Sequence, residues 1–428
     1  MNGEWWSALP PLPLPHEMQQ WDRQAVELGI LPEILMENAA AAAFRQLSAL
    51  CPRLAGKQVW LLMGSGNNGG DAACLARYLL DAGACPHVFH TRPLEHYRNE
   101  TAYHLRTALT CGVPFLPVAA LTETHLPHPD ILVDGLLGTG FSGQLRDDAR
   151  RLVSFVNELS PRPLILSLDV PSGLDATSGL PCPEAVKADM TVSFAAAKPG
   201  LMLPWARPYT GECHVGPIAM PAKVREEGPC SFRLLDGHTL TLLPAMTAAS
   251  YKNTYGHIFV MGGRPGMCGA GHLAARGALR SGAGLVTAAM PAAGEDQVRM
   301  GWPEIMTLPL GDPGNRDWPA QLPDDLRQRL HQCRALVIGP GMGRGKDSHA
   351  FLAALLKEPE RPACLFDADA LMLLAGDPAL LAALGPGDIL TPHPGEAARL
   401  LGTTVADVQA DREGSAVRLA EKYRCVVV

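Results

Sequence analysis

The sequence predicts an α/β protein of two domains, each a parallel sheet covered by helices. Three observations predict it. Short apolar runs recur along the chain, their ends carry Gly or an acid, and a helical pattern follows most of them. The series then starts again after a charged, turn-rich stretch around Lys223 to Pro229. Strands alternating with helices in this way make a doubly wound, Rossmann-like sheet in the first half and a second α/β domain after it.

In chain order, Met1 to Pro15 holds two tryptophans and a Pro-Leu-Pro-Leu-Pro stretch, so residues 1–16 read as a disordered lead-in. Glu17 to Gln46 has helical periodicity broken at Pro32, which predicts two helices. Strands are expected at Val59 to Met63, Val88 to Phe89, Ile131 to Val133 and Leu164 to Leu168. The second series runs through Ile258 to Met261, Leu285 to Ala289, Ala335 to Ile338, Cys364 to Phe366 and Ile389 to Leu390. The boundary is placed near Gly228, giving domains over 17–228 and 229–428. Cys425-Val426-Val427-Val428 is apolar with no turn signal behind it. A domain seldom stops inside a buried strand, so the second domain is expected to be incomplete at its C-terminus.

Composition excludes several functions. A net charge of -7, with no run of five or six like charges, offers nothing to nucleic acid or an anionic membrane. No stretch approaches the ~18 apolar residues of a membrane span. Eleven cysteines with no C-x-x-C and no Cys/His ligand spacing support neither a zinc site nor a disulfide framework, and a reducing cytoplasm is the expected compartment. Homo-oligomerisation is left open.

Ligands of open parallel sheets bind outside the carboxyl ends of the strands. Three segments there are candidates. Gly64-Ser65-Gly66-Asn67-Asn68-Gly69-Gly70-Asp71 reads as a phosphate-cradling loop before a helix, with Asp71 able to cap that helix; an ordinary tight turn is the plainer alternative. Asp134, followed by four glycines through Gly143, leaves an apolar strand and needs a partner, either a cation or a local turn that it caps. Asp169, in Asp169-Val170-Pro171-Ser172-Gly173-Leu174-Asp175, is the candidate general base, given a pKa raised by burial. Lys198 reads either as a phosphate partner or as a solvated surface lysine.

Together with Met36-Glu37-Asn38 and Lys198-Pro199-Gly200, these motifs resemble the NAD(P)H-hydrate epimerase family over residues 17 to 220, in family order. The resemblance implies that the substrate, NADHX or NADPHX, is hydrated at C6 of its nicotinamide ring. It implies contacts from Asn67, Asn68, Gly69, Gly70 and Asp71, and from Gly138, Thr139, Gly140, Phe141, Ser142, Gly143 and Gln144. Asp169 would be the catalytic acid/base, and Asn68, Asp134 and Ser172 would hold K+. Ala72 stands where the family often has Gly.

The second half is similar to the ADP-dependent NAD(P)H-hydrate dehydratase, whose fold is ribokinase-like. The resemblance rests on Tyr255-Gly256-His257, Gly262-Gly263, Gly269-Ala270, Gly339-Pro340-Gly341-Met342-Gly343, Asp367-Ala368-Asp369 and Thr391-Pro392-His393-Pro394-Gly395-Glu396. It implies that Ala270, Gly343 and His393 line the hydrated nicotinamide, that Asp367 and Asp369 support the pocket or a metal, and that ADP or ATP binds with Mg2+. Met372 replaces the usual Asn. The family's Gly-Thr-Gly-Asp loop, with the catalytic Asp, is expected beyond Val428, so dehydration by these residues alone is expected to be impaired.

Two other readings compete. A nicotinamide-dependent oxidoreductase fused to a kinase would need G-x-G-x-x-G after the first strand, where two Asn stand instead. A non-catalytic nucleotide-binding or interaction module, fused to a degenerate ribokinase-like domain, would bind the dinucleotide without turning it over.

Overall fold

The computed structural model describes residues 8–122, 126–243, 247–299 and 301–428, the side chain of His238 aside. It divides into two compact units, 1–244 and 245–428. Of the expected disordered lead-in, residues 1–7 lie outside the described residues. The remainder is ordered: β1 (Pro11–Leu12) and α1 (Pro15–Glu27) come first, with Pro15 at the first helical position, where its missing N–H costs nothing. Then α2 (Pro32–Leu50) begins on Pro32, the residue expected to separate two helices.

The first sheet takes β2 (Gln58–Met63), β3 (Cys85–His90), β4 (Phe115–Pro117), β5 (Ile131–Gly135), β6 (Leu164–Leu168), β7 (Met190–Phe194) and β8 (Glu212–Gly216). All pairs are parallel, in the order β4-β3-β2-β5-β6-β7-β8. The winding direction reverses between β2 and β5. Between strands run α3 (Asn67–Asp81), α4 (Asn99–Thr110) and α5 (Asp147–Glu158). Apolar residues bury on both faces: Leu61, Met63, Leu75 and Leu79 on one, Trp60, Leu62, Leu132 and Val153 on the other.

The expected boundary at Gly228 falls before a segment that folds back onto the first unit. β9 (Phe232–Arg233) pairs antiparallel with β1. The buried Trp21 indole donates to the Pro229 carbonyl at 2.9 Å, and Ser231 donates its hydroxyl to Glu17 at 2.6 Å.

The second sheet has β10 (His257–Met261), β11 (Leu285–Pro291), β12 (Met306–Leu310), β13 (Ala335–Ile338), β14 (Ala363–Phe366), β15 (Ile389–Leu390) and β16 (Val426–Val427). Their order is β12-β11-β10-β13-β14-β15-β16, all parallel, with the reversal between β10 and β13. Among its helices are α6 (Cys268–Arg280) and α7 (Lys346–Leu356), and α8 (Pro394–Leu401) follows β15.

Candidate functional site

The reversal between β2 and β5 opens a crevice at their carboxyl ends, and there a cleft of about 1600 Å³ lies. The Asn67–Asp71 segment is the first part of α3, not a loop. Gly66 takes the cap position, so Asp71 does not cap the helix. Asn67, Asn68 and Asp71 line the cleft, as do Gly138 to Ser142 and Gln144. Gly69, Gly70 and Gly143 do not. Gly69 lets the helix approach the strand end, since a Cβ there would lie 2.0 Å from the Gly64 carbonyl oxygen. Gly70 makes room for Met36, and Gly143 turns the chain at a φ of 81°. Ala72 is buried inside α3 without positive φ, so its departure from the family's Gly asks nothing unusual of the backbone.

Asp169 stands at the tip of β6 with a φ of 61°, a left-handed backbone that a non-glycine residue adopts only when its surroundings impose it. Those surroundings are visible. Its carboxylate accepts from the Lys198 ammonium, the Thr139 hydroxyl, the Thr139 N–H at 3.1 Å and the Phe194 N–H at 3.3 Å. Lys198, with 2% of its side chain exposed, is not a solvated surface lysine; it lines the cleft and also donates to Ser193 and to the Phe194 carbonyl. Burial pulls the Asp169 pKa up, but the Lys198 charge and these hydrogen bonds hold it below the ordinary carboxylate value. The raised pKa expected of this base is therefore corrected: Asp169 is ionised.

The raised carboxyls are elsewhere in the cleft. Burial lifts Asp71 well above its ordinary value, reinforced by the charges of Asp169 and Asp22. Asp22, on α1, is pushed up to about 6 by desolvation within the cleft, with Lys198 opposing and Asp169 and Glu100 reinforcing. No motif marks Asp22 or Glu100; they reach the cleft because α1 and α4 supply part of its wall.

Asn68, Asp134 and Ser172 meet beside this floor. The Asn68 amide donates to the carbonyls of Leu137 at 2.7 Å and Leu168 at 3.0 Å, which fixes its orientation. Its Oδ1 is then buried with no hydrogen-bond partner. Asp134 is wholly buried and accepts from the Ser172 N–H, the Ser172 hydroxyl, the Ser167 hydroxyl and, at 3.3 Å, the Leu136 N–H. Burial nonetheless raises its pKa, with those donors opposing. Asp134 thus serves the local turn expected as one alternative. The unpartnered Asn68 Oδ1, with the Leu137 carbonyl and the Ser172 hydroxyl that donates to it, offers hard oxygen donors of the kind an alkali cation takes.

In the second unit, the reversal between β10 and β13 brings Ala270 on α6 to the Gly339–Gly343 loop, where a Cβ on Gly341 would lie 3.1 Å from that of Ala270. Gly343 donates its N–H to Asp369 at 2.9 Å, and Arg344 adds a 2.7 Å ion pair. Asp367 accepts from Thr391 at 3.1 Å. His393 caps α8: its Nδ1 accepts from the N–H groups of Gly395 and Glu396, leaving Nε2 at 3.2 Å from Glu396. The imidazole is 67% exposed and oriented.

The family model described as YjeF-related protein N-terminus matches residues 32–200, and the model for NAD(P)H-hydrate dehydratase matches residues 258–428. The bifunctional NAD(P)H-hydrate repair enzyme of Moorella thermoacetica is 35% identical over 422 residues, covering 96% of this chain and 79% of that one. The Coxiella burnetii enzyme of the same name is 36% identical over 413 residues, covering 96% and 80%. That of Escherichia coli K12 is 30% identical over 429 residues, covering 98% and 78%. A solved ADP/ATP-dependent NAD(P)H-hydrate dehydratase from Bacillus subtilis, co-crystallised with ATP and Mg2+, is 27% identical with a TM-score of 0.34, covering 44% of this chain and 61% of that one. With both models matched in order and full-span relatives above 30% identity, the chain belongs to the bifunctional NAD(P)H-hydrate repair enzyme family.

Proposed function

We propose that the first unit interconverts the R and S epimers of NADHX and NADPHX, with Asp169 as the proton-transfer group. The observation that carries this is an ionised Asp169 on a buried Lys198, at the floor of a cleft lined by Asn67, Asn68 and Gly138 to Ser142. C6 of the hydrated ring is a carbinolamine carbon. Asp169 takes the hydroxyl proton; the C6–N1 bond breaks, its electron pair going to N1, and C6 becomes a carbonyl carbon. Return of that pair to the opposite face, with the proton handed back, gives the other epimer. Lys198 keeps the carboxylate charged between turnovers. Asn68, Asp134 and Ser172 would hold the potassium ion, which when bound supplies positive charge near the substrate oxygens.

The test is a single purified epimer incubated with the chain and K+. Equilibration by wild type, and its loss by about a thousandfold in Asp169→Asn with dinucleotide binding retained, is the expected result. Binding without equilibration in wild type would establish the non-catalytic module instead. Replacing K+ by Li+ should slow the reaction, and an unchanged rate would remove the ion from the proposal.

The second unit is proposed to dehydrate the S epimer. ADP, bound with Mg2+, gives its phosphoryl group to the C6 hydroxyl, leaving AMP, and loss of phosphate restores NAD(P)H. Ala270, Gly343 and His393 would line the ring. ADP-dependent recovery of NADH absorbance tests this against the impaired dehydration expected of these residues, and His393→Ala should weaken binding of the S epimer. A reducing cytoplasm is the proposed compartment, supported by eleven free cysteines; no helix among the described residues is long and apolar enough to cross a membrane.

A further inference from the structure

Three helices of the first unit converge outside the cleft wall and bring together Glu37 from α2, Cys74 from α3 and His104 from α4. One ligand atom from each lies within 4.8 Å of the others. Cys74 is buried, the His104 side chain is 1% exposed, and Glu37 reaches solvent with 37% of its side chain. None of the three lines the cleft.

The histidine carries the argument. Its Nε2 lies 3.0 Å from the Glu33 carbonyl, which only accepts, so Nε2 holds the proton. Nδ1 then presents a lone pair, buried and without a hydrogen-bond partner, 3.6 Å from a Glu37 carboxylate oxygen. A lone pair facing a half-exposed carboxylate is unfavourable unless positive charge, a second ring proton or a bound cation, stands between them. Arg77 does not meet that need: its guanidinium lies on Glu37 at 2.5 and 2.6 Å and reaches the Cys74 sulfur at 3.8 Å, without bonding to His104.

Two of the three ligand-to-ligand edges match a single ion, and the third is within 4.8 Å. Tetrahedral zinc, with bonds of about 2.0 Å to oxygen and nitrogen and about 2.3 Å to sulfur, sets ligand-to-ligand edges of about 3.3–3.6 Å. The Cys74–Glu37 separation is 3.3 Å and the His104–Glu37 separation 3.6 Å. Thiolate with imidazole and carboxylate favours Zn2+ over the hard cations Mg2+ and Ca2+. The Glu33 carbonyl on Nε2–H is the usual outer partner of a metal-bound histidine, fixing its tautomer and ring plane.

We propose that Glu37, Cys74 and His104 bind one Zn2+ ion, in a site separate from the cleft that ties α2, α3 and α4 together. Zinc replaces the Cys74 proton, which leaves to solvent. Arg77 and Tyr78 remain on Glu37.

The experiment titrates the chelator-stripped full chain with Co2+. A thiolate-to-Co2+ charge-transfer band saturating at one ion per chain, and its loss when Zn2+ is added, is the expected result. Cys74→Ser should abolish the band, and His104→Gln, which removes a ligand, should weaken binding by at least the roughly 10–100-fold that loss of an outer partner costs. Zn2+ should raise the melting temperature of wild type more than that of either variant. Absence of the band in wild type, or an undiminished band in Cys74→Ser, overturns the site. Should Cys74→Ser not fold, an undiminished affinity in His104→Gln overturns it equally.

Discussion

Lys198 can carry an ammonium into the interior only because Asp169 meets it there, and each residue depends on the other. Removing one member of such a pair strands the other charge, at a cost of about 3–5 kcal/mol. Lys198→Met is expected to lower stability at neutral pH by that order in a urea melt. The sign follows from the direction of the shift. A carboxyl held below its ordinary value stabilises the fold above its unfolded pKa, near 3.9, and that contribution fades as pH falls through the depressed folded value. In the variant the carboxyl titrates higher, so the acid limb of the epimerisation profile should move to higher pH. Asp22 has the opposite sign. Raised to about 6, it contributes stability below its unfolded pKa that is lost as pH rises through about 6. Asp22→Asn should therefore melt higher than wild type at pH 8, by a gap that solvent screening at this exposed side chain keeps small, and no differently near pH 4. Asp169 was legible in the sequence as an acid leaving an apolar strand. Its ionisation state was not, because the deciding charge lies 29 residues away and nothing local to Lys198 announces burial.

At the scale of elements, the strands that are continuous apolar runs were readable, and those whose run is broken by polar residues or proline were missed. β8 is an edge strand with exposed Glu212 and Val215, and Pro309 interrupts β12, so neither gives the apolar run that marks a central strand. β7 read only as apolar-rich sequence. The glycines of the motifs show why a motif does not by itself assign roles. A Cβ at Gly69 meets backbone at 2.0 Å, whereas one at Gly140, also in the cleft region, meets nothing within 4 Å and has no positive φ. Gly69→Ala is accordingly expected to cost about 3 kcal/mol or more, or to prevent folding, as read by the denaturation midpoint. Gly140→Ala should leave that midpoint within about 0.5 kcal/mol of wild type. Any effect of Gly140→Ala on turnover then reports on substrate contact.

For the whole molecule, the α/β class and the two-domain plan followed from the repeated run-and-loop pattern, whereas a ribokinase-like second domain was implied only by the resemblance to the dehydratase family. The place where the first unit ends did not, because β1 and β9 are two-residue strands whose pairing joins distant parts of the chain. A fragment ending at Pro244 should hence melt higher than one ending at Gly228 by roughly 6–12 °C. The shorter fragment loses the β1–β9 pairing, the Trp21 bond to Pro229 and the Glu17 bond to Ser231, about 1 kcal/mol each. The size of the cleft carries a different consequence. At about 1600 Å³ it exceeds the 300–1,000 Å³ usual for small ligands, so a nicotinamide ring fills only part of it. Contacts made far from C6, to the adenosine half of the dinucleotide, can then hold the reacting ring against Asp169. A hydrated nicotinamide mononucleotide, which lacks that half, should lose turnover number as well as affinity, a split that comparing kcat and KM for the two substrates would expose.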